Sequence, residues 1–313
     1  MACDKEGNLF IVDWKSRLVY KYTPEGKLDP SFGNNGIVGD IDTDKDGIIH
    51  GSGNGEFYGG DPFHGPTGIA LTQDGDVFVS DTRNSRIEKF KPNGDLDSAF
   101  GQNGVVGINE DREVDGKTDP GNKNGEFKYP IGIYVKGGFL YVADTVNNRW
   151  QILSSKDGKF IKSGKGNAIV LPNDILVDSK GYIYLLCGDF YRKQCWIVKV
   201  NPENNEQIIS YGKNGLLGGS FGKETGFFNK AMAFAIDDDD NLYVSDSKNA
   251  RVQIFDSNGQ LLNVFYPENK LASVGAIAFD PKNKEILLAE YYEYKGHGHI
   301  KRYKLEKFIY PKR

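Results

Sequence analysis

One phrase recurs along this chain. The stretches GDVFVSDTRNSRIEKF, GFLYVADTVNNRWQIL and DNLYVSDSKNARVQIF each run an apolar alternation into an aspartate, cross four residues that include an asparagine, and reopen the alternation on an arginine. The pairs are Asp81 with Arg86, Asp144 with Arg149 and Asp246 with Arg251. Repetition of this kind constrains a fold more than composition does, because each copy must be one supersecondary unit that hides its apolar faces against its neighbours.

Six copies are legible, starting near Met1, Thr67, Ile131, Asn173, Met232 and Gly275. Each reads as a Gly-Ile-Ala type strand, a turn with Asp or Gly, a Leu-Tyr-Val-x-Asp strand, a polar loop, an Arg-Ile-x-x-Phe strand and a fourth, outer strand after a Gly turn. The period-2 alternation predicts half-buried strands, and the Gly, Asn and Asp clusters between them predict hairpin turns. One such sheet leaves a face bare, whereas six set radially cover one another. The expectation is an all-β, six-bladed β-propeller of four-stranded antiparallel blades, spanning 1–313 as one domain, with long rim loops at 39–65 and 107–127.

The three quoted phrases, with the lead-ins GEFYGGDPFHGPTGIA and NGEFKYPIGI, resemble the NHL-repeat β-propeller family over nearly the whole chain. The resemblance implies an interaction module. Two related propellers imply the alternative: an amidating lyase that holds zinc with histidines from several blades, and gluconolactonase-like hydrolases that hold a divalent cation with Glu, Asn and Asp.

Inner-strand rims are where a propeller enzyme would place its ligands. Here those positions are Thr67 and Gly68, Ile131 and Gly132, Asn173 and Asp174, Met232 and Ala233, and Gly275 and Ala276. Blade 4 alone offers ligating groups, and the four histidines, His50, His64, His297 and His299, occupy none of these positions, although His64 stands just ahead of blade 2. Zinc needs three converging protein ligands, and no Gly-x-Ser-x-Gly elbow is present. The expected function is therefore a non-catalytic scaffold that holds a protein, peptide or glycan on one face, with His64, Thr67, Asn173, Asp174 and Met232 as candidate rim contacts. A metal-dependent hydrolase or lactonase, or an amidating-lyase-like enzyme, using the central channel is the alternative.

Departures from the repeat carry further expectations. The Asp–Arg pairs read as exposed ties across a hairpin, each worth about 0–1 kcal/mol. In blade 4 the aspartate is replaced by Cys187 and the arginine by Cys195, which predicts a disulfide, with two free buried thiols as the other outcome. Blade 6 substitutes Glu290 and His299, a polar tie. The segments SFGNNGIVG, AFGQNGVVG and SYGKNGLLG suit outer strands that run into hairpins. Asp42, Asp44 and Asp46 precede Gly47 at calcium-loop spacing, which makes calcium the candidate cofactor, although position 12 of that loop is Gly53 rather than Glu.

The net charge of -4 and pI near 5.7 give no broad positive field, so nucleic acid is not an expected partner. No apolar run reaches the ~18 residues that cross a bilayer. If Ala2 matches Ala70, most of blade 1's inner strand precedes residue 1; a processed or truncated start, taken with the disulfide, points to an exported protein.

Overall fold

The computed structural model describes residues 1–39, 57, 65–107, 121–189, 192–208, 216–267, 273–291 and 298–305. The chain divides into two compact units, Met1–Gly164 and Lys165–Arg313. The first holds blade 1, with β1 (Ala2–Cys3), β2 (Leu9–Asp13), β3 (Leu18–Tyr22) and β4 (Ile37–Val38). Blade 2 follows, with β5 (Pro66–Leu71), β6 (Val77–Asp81), β7 (Arg86–Phe90) and β8 (Val105–Val106), and then blade 3, with β9 (Pro130–Lys136), β10 (Phe139–Asp144), β11 (Arg149–Ser154) and β12 (Phe160–Gly164).

The second unit opens with blade 4, comprising β13 (Pro172–Val177), β14 (Ile183–Asp189), β15 (Gln194–Asn201), β16 (Glu206–Gln207) and β17 (Leu216–Ser220). Blade 5 has β18 (Ala231–Ile236), β19 (Leu242–Asp246), β20 (Arg251–Phe255) and β21 (Leu261–Phe265). Blade 6 has β22 (Ser273–Asp280), β23 (Glu285–Tyr291) and β24 (Gly298–Lys304). Named strand pairs are antiparallel throughout, and the only helix among the described residues is a single 3-10 turn, Ser247–Asn249. This is a six-bladed β-propeller. Four blades have four strands. Blade 4 has five, because its outer strand is split into β16 and β17, both paired to β15. Blade 6 shows three among the described residues; residues 306–313 lie outside them, as does most of the rim-loop sequence at 39–65 and 107–127.

The strands are more buried than a half-covered sheet would require. Every residue of β6 and of β7 is buried. Val77 and Val79 pack with Phe10, Val19 and Phe32 of blade 1, while Phe78 and Ile87 pack with Ile133, Leu140 and Val142 of blade 3. Successive side chains point to opposite faces, so a strand with neighbours on both faces must be acceptable to two cores. The half-buried expectation is corrected for that reason. In the second unit the same arrangement joins Tyr243 and Ile254 of blade 5 to Ile277, Ile286 and Leu288 of blade 6.

The Phe-Gly segments do more than form an outer strand. In blades 1 and 2 that strand is only the apolar pair, Ile37–Val38 or Val105–Val106, because the preceding loop turns inward. Phe32 and Phe100 are fully buried and meet Phe10 and Phe78 edge-to-face, at 5.5 and 5.4 Å. The next residue hydrogen-bonds to the following blade: the Gly33 N–H to the Asn93 carbonyl at 2.7 Å, and the Gly101 N–H to the Asp157 carbonyl at 3.1 Å.

Candidate functional site

The repeated Asp and Arg lie directly opposite one another in the register, as Asp81↔Arg86, Asp144↔Arg149 and Asp246↔Arg251. They are not exposed. The three aspartates and Arg86 are at 0% exposure, and Arg149 and Arg251 at 3%. In blade 3 the Arg149 Nε donates to Asp144 at 2.6 Å, while its two terminal nitrogens donate to the carbonyls of Asn122, Lys123 and Glu126. Asp144 also accepts from the Lys128 N–H at 2.7 Å and from the Asn147 amide. Gln151 completes the set, donating to the Glu126 carbonyl and accepting from the Gly125 N–H.

Blade 5 repeats the construction, with Asp246 accepting from Arg251 and from the Asn229 N–H, and with Asn249, Arg251 and Gln253 donating to the carbonyls of Gly222, Glu224 and Phe227. In blade 2 Glu88 stands where the others have Gln, paired to Arg86 at 2.7 Å. In blades 3 and 5 the set moors the lead-in segment to the hairpin, and in all three blades the exposed-pair expectation is corrected: the pair is buried and hydrogen-bonded. The lead-in carbonyls were missed by sequence reasoning. Their signal is the recurrence of NGEF and TGFF 23 to 27 residues ahead of the arginine they bind.

In blades 2 to 6 the inner strand carries a β-bulge near its start. The register slips between Pro66 and Ile69, at Ile131–Gly132, between Pro172 and Asp174, between Ala231 and Phe234, and between Val274 and Ala276. These are the rim positions singled out from the sequence. Bulges re-aim side chains and are over-represented beside functional sites.

At Thr67 the side chain is engaged internally. Its hydroxyl bonds that of Thr82 at 2.6 Å, Thr82 donates to the Pro130 carbonyl, and Ser80 donates to the Ile131 carbonyl at 2.6 Å. A Cβ at Gly68 would collide with the Ile131 carbonyl oxygen and with Ser80 Oγ. Blade 2 therefore closes its bulge against blade 3.

The second unit is different. Strand β18 lies between β13 and β22, and its bulge residue Met232 is 44% exposed. Asn173 is half-buried, and no described residue bonds its amide. The Asp174 carboxylate crosses from β13 to accept the Phe234 N–H of β18 at 3.3 Å, and accepts its neighbour Ile175's N–H at 2.9 Å. Among the described residues these two backbone N–H groups are its hydrogen-bond donors. The residue keeps part of its surface, yet protein packs densely enough around the carboxyl that burial pushes its pKa up to about 7. Among the described residues an added Cβ at Gly275 would approach nothing closer than the Ala289 carbonyl oxygen at 3.9 Å. The structure thus brings Asn173, Asp174 and Met232 to one edge of the second unit.

His64, Asp42, Asp44 and Asp46 lie outside the described residues. Among the described residues no group of three or more His, Cys, Asp or Glu could hold a metal ion, and no helix is long and apolar enough to cross a membrane.

Blade 4 corrects a register. Cys187 is opposite Trp196, and Cys195 is opposite Gly188. The tryptophan, not Cys195, therefore holds the arginine position, and a one-residue slip turns a side chain to the other face of the sheet. Both thiols are free and buried in place of the expected disulfide, which leaves the case for export without that support. Burial pushes Cys187 well above the usual thiol range and Cys195 up to about 12, so neither is a nucleophile. In blade 6 Glu290 and His299 are opposite, as expected. Glu290 accepts from the Tyr303 hydroxyl at 2.7 Å and pairs with Lys301 at 3.3 Å, and His299 is exposed.

The NHL repeat model matches residues 63–90 and 228–255. Among solved structures the chain is similar to a streptogramin B lyase (12% identity, TM-score 0.56, covering 97% of this chain and 81% of that one). It is also similar to hydrazine synthase of Kuenenia stuttgartiensis (11% identity, TM-score 0.58, 96% and 94%). A third is a catalytically inactive variant of virginiamycin B lyase from Staphylococcus aureus with quinupristin (14% identity, TM-score 0.53, 97% and 83%). At these identities the likeness is one of fold, and it leaves both a binding and a catalytic role open. No curated protein matches the chain. The two NHL matches fall on blades 2 and 5, both built around a buried Asp–Asn–Arg set, and with the six antiparallel sheets they support an NHL-repeat β-propeller.

Proposed function

We propose that this propeller is a recognition scaffold that holds a protein, peptide or glycan at the end of the blades where lead-ins and bulges lie. The observation that carries the reading is the apolar surface at that end of blade 5. Phe227 is 40% exposed in the lead-in, Met232 is 44% exposed in the bulge, and Tyr266 is 52% exposed where β21 ends beside Arg251. Exposed aromatic and methionine side chains on a rigid frame are the usual anchors of an interface. The frame beneath them is stiff, because the Phe227 carbonyl is bound by Arg251 and Gln253 while its ring stays outside.

Peptide and glycan arrays test this with the wild type and a Phe227→Ser, Met232→Ser variant. Both side chains are exposed, so melting should change by no more than about 0.5 kcal/mol. A ligand bound by the wild type and lost by the variant is the expected result. Equal binding by both would move the site elsewhere.

The alternative is a metal-dependent hydrolase, lactonase or lyase. One observation favours it: a carboxyl at about 7 beside Asn173 has the proton affinity of a general acid or base. Metal analysis after dialysis separates the two readings. A retained stoichiometric transition metal would favour the enzyme, and calcium alone would leave recognition ahead.

A further inference from the structure

The outermost strand of a blade has a neighbour on one side only, so half of its main-chain N–H and C=O groups face away from the sheet, and folded proteins blunt such edges. Among the described residues five of the six blades carry a device that does so. The outer strands β4, β8 and β16 are two residues long. Strand β17 contains Gly218 and Gly219, whose φ values of +106° and +147° depart from strand geometry. Strand β12 has Lys162 within it and Lys159 and Lys165 on either side, and β24 has Lys301, Arg302 and Lys304.

Strand β21 of blade 5 has none of these. It runs for five residues, Leu261–Phe265, and among the described residues it pairs only with β20. The run SNGQLLNVFYP, residues 257–267, contains no charged side chain, and its one proline stands at the end. Leu261, Leu262 and Tyr266 are 40, 44 and 52% exposed. One bond shows which way the main chain faces: the Val264 N–H goes to the Asn263 side-chain carbonyl at 2.8 Å, not to β20. A side-chain oxygen one residue away is a local substitute for the carbonyl of a further strand.

We propose that β21 pairs antiparallel with β21 of a second copy of this chain, about a two-fold axis at Val264. The strand is self-complementary in that register. Val264 meets Val264, the two exchanging N–H to C=O bonds, Leu262 meets Tyr266 on either side, and Asn263 meets Phe265. Pro267 then ends the ladder. Charge selects a second copy over an acidic or basic partner. An isologous contact sets a surface against itself, which a charged edge resists and this uncharged one does not. Its length limits its strength: five residues span roughly 17 Å, so the contact belongs with the small, reversible interfaces below about 1,200 Å² in total. The inference goes beyond the recognition reading and does not depend on it, because Phe227 and Met232 take no part in the pairing.

Sedimentation equilibrium of the full chain from about 5 to about 500 µM tests this, the range in which so small an interface associates. The wild type should rise from 34.8 kDa toward twice that mass. Hydrogen exchange at the Val264 amide should slow over the same range. Leu262→Lys, at an exposed position, should keep the wild-type melting temperature and stay monomeric throughout, with Val264 exchange independent of concentration. Val264→Pro removes a donor that β20 does not use and should also stay monomeric. A wild type that is monomeric across the range, or an assembly that survives Leu262→Lys, overturns the proposal. So does a Val264 amide equally protected at every concentration, the result expected if another segment of this chain already pairs with β21.

Discussion

At the scale of single residues, Asp174 and Arg149 show opposite uses of a buried charge. Burial raises Asp174 from 3.8 to about 7, outweighing the hydrogen bonds from the Ile175 and Phe234 N–H groups that lower it. A carboxyl whose folded pKa lies above its unfolded one stabilises the fold when protonated and loses that contribution as pH rises through the folded value. Asp174→Asn, which keeps an acceptor for the Phe234 N–H, should therefore stabilise by roughly 1–3 kcal/mol at pH 8 and by almost nothing below the ordinary carboxyl range. Denaturant melts across pH check this, and equal differences at both ends would remove Asp174 as the cause. Arg149 is charge-matched and its donors reach four oxygens. Arg149→Ala should cost about 3–5 kcal/mol, since it strands Asp144 and three lead-in carbonyls in the interior. A loss below ~1 kcal/mol in chemical denaturation would show the network to be a surface tie after all.

At the scale of elements, blades adjoin through their outer turns as well as their faces. Gly94, in the β7–β8 connection with φ of +86°, lies so close to blade 1 that a Cβ there would strike the Gly33 backbone and approach Val38 at 3.0 Å. The Gly33 N–H reaches the adjacent Asn93 carbonyl at 2.7 Å. Gly94→Ala therefore meets both a left-handed backbone and an inter-blade clash, and should destabilise by about 2 kcal/mol or more. Hydrogen exchange at the Gly33 amide gives the local readout: its protection should fall while that of blade 5 amides is unchanged. This contact was not visible in the repeat, because Asn-Gly turns recur in several blades for their own conformational reasons.

At the scale of the whole molecule, cohesion comes from shared cores and buried polar moorings without a covalent cross-link between Cys187 and Cys195. Melting with and without reductant should therefore coincide, and three thiols, Cys3, Cys187 and Cys195, should titrate in denaturant. A lower melting temperature under reduction would restore the disulfide. Strand alternation, turn residues and six copies of one phrase are local properties of the chain, and they were sufficient for the six-bladed architecture. What a buried group touches depends on segments far apart in sequence. Whether Asp81–Arg86 is exposed, which face Cys195 takes, and how far burial shifts Asp174 were decided only when hairpin met lead-in and blade met blade, because burial and charge pairing are properties of the assembled neighbourhood and not of the residue.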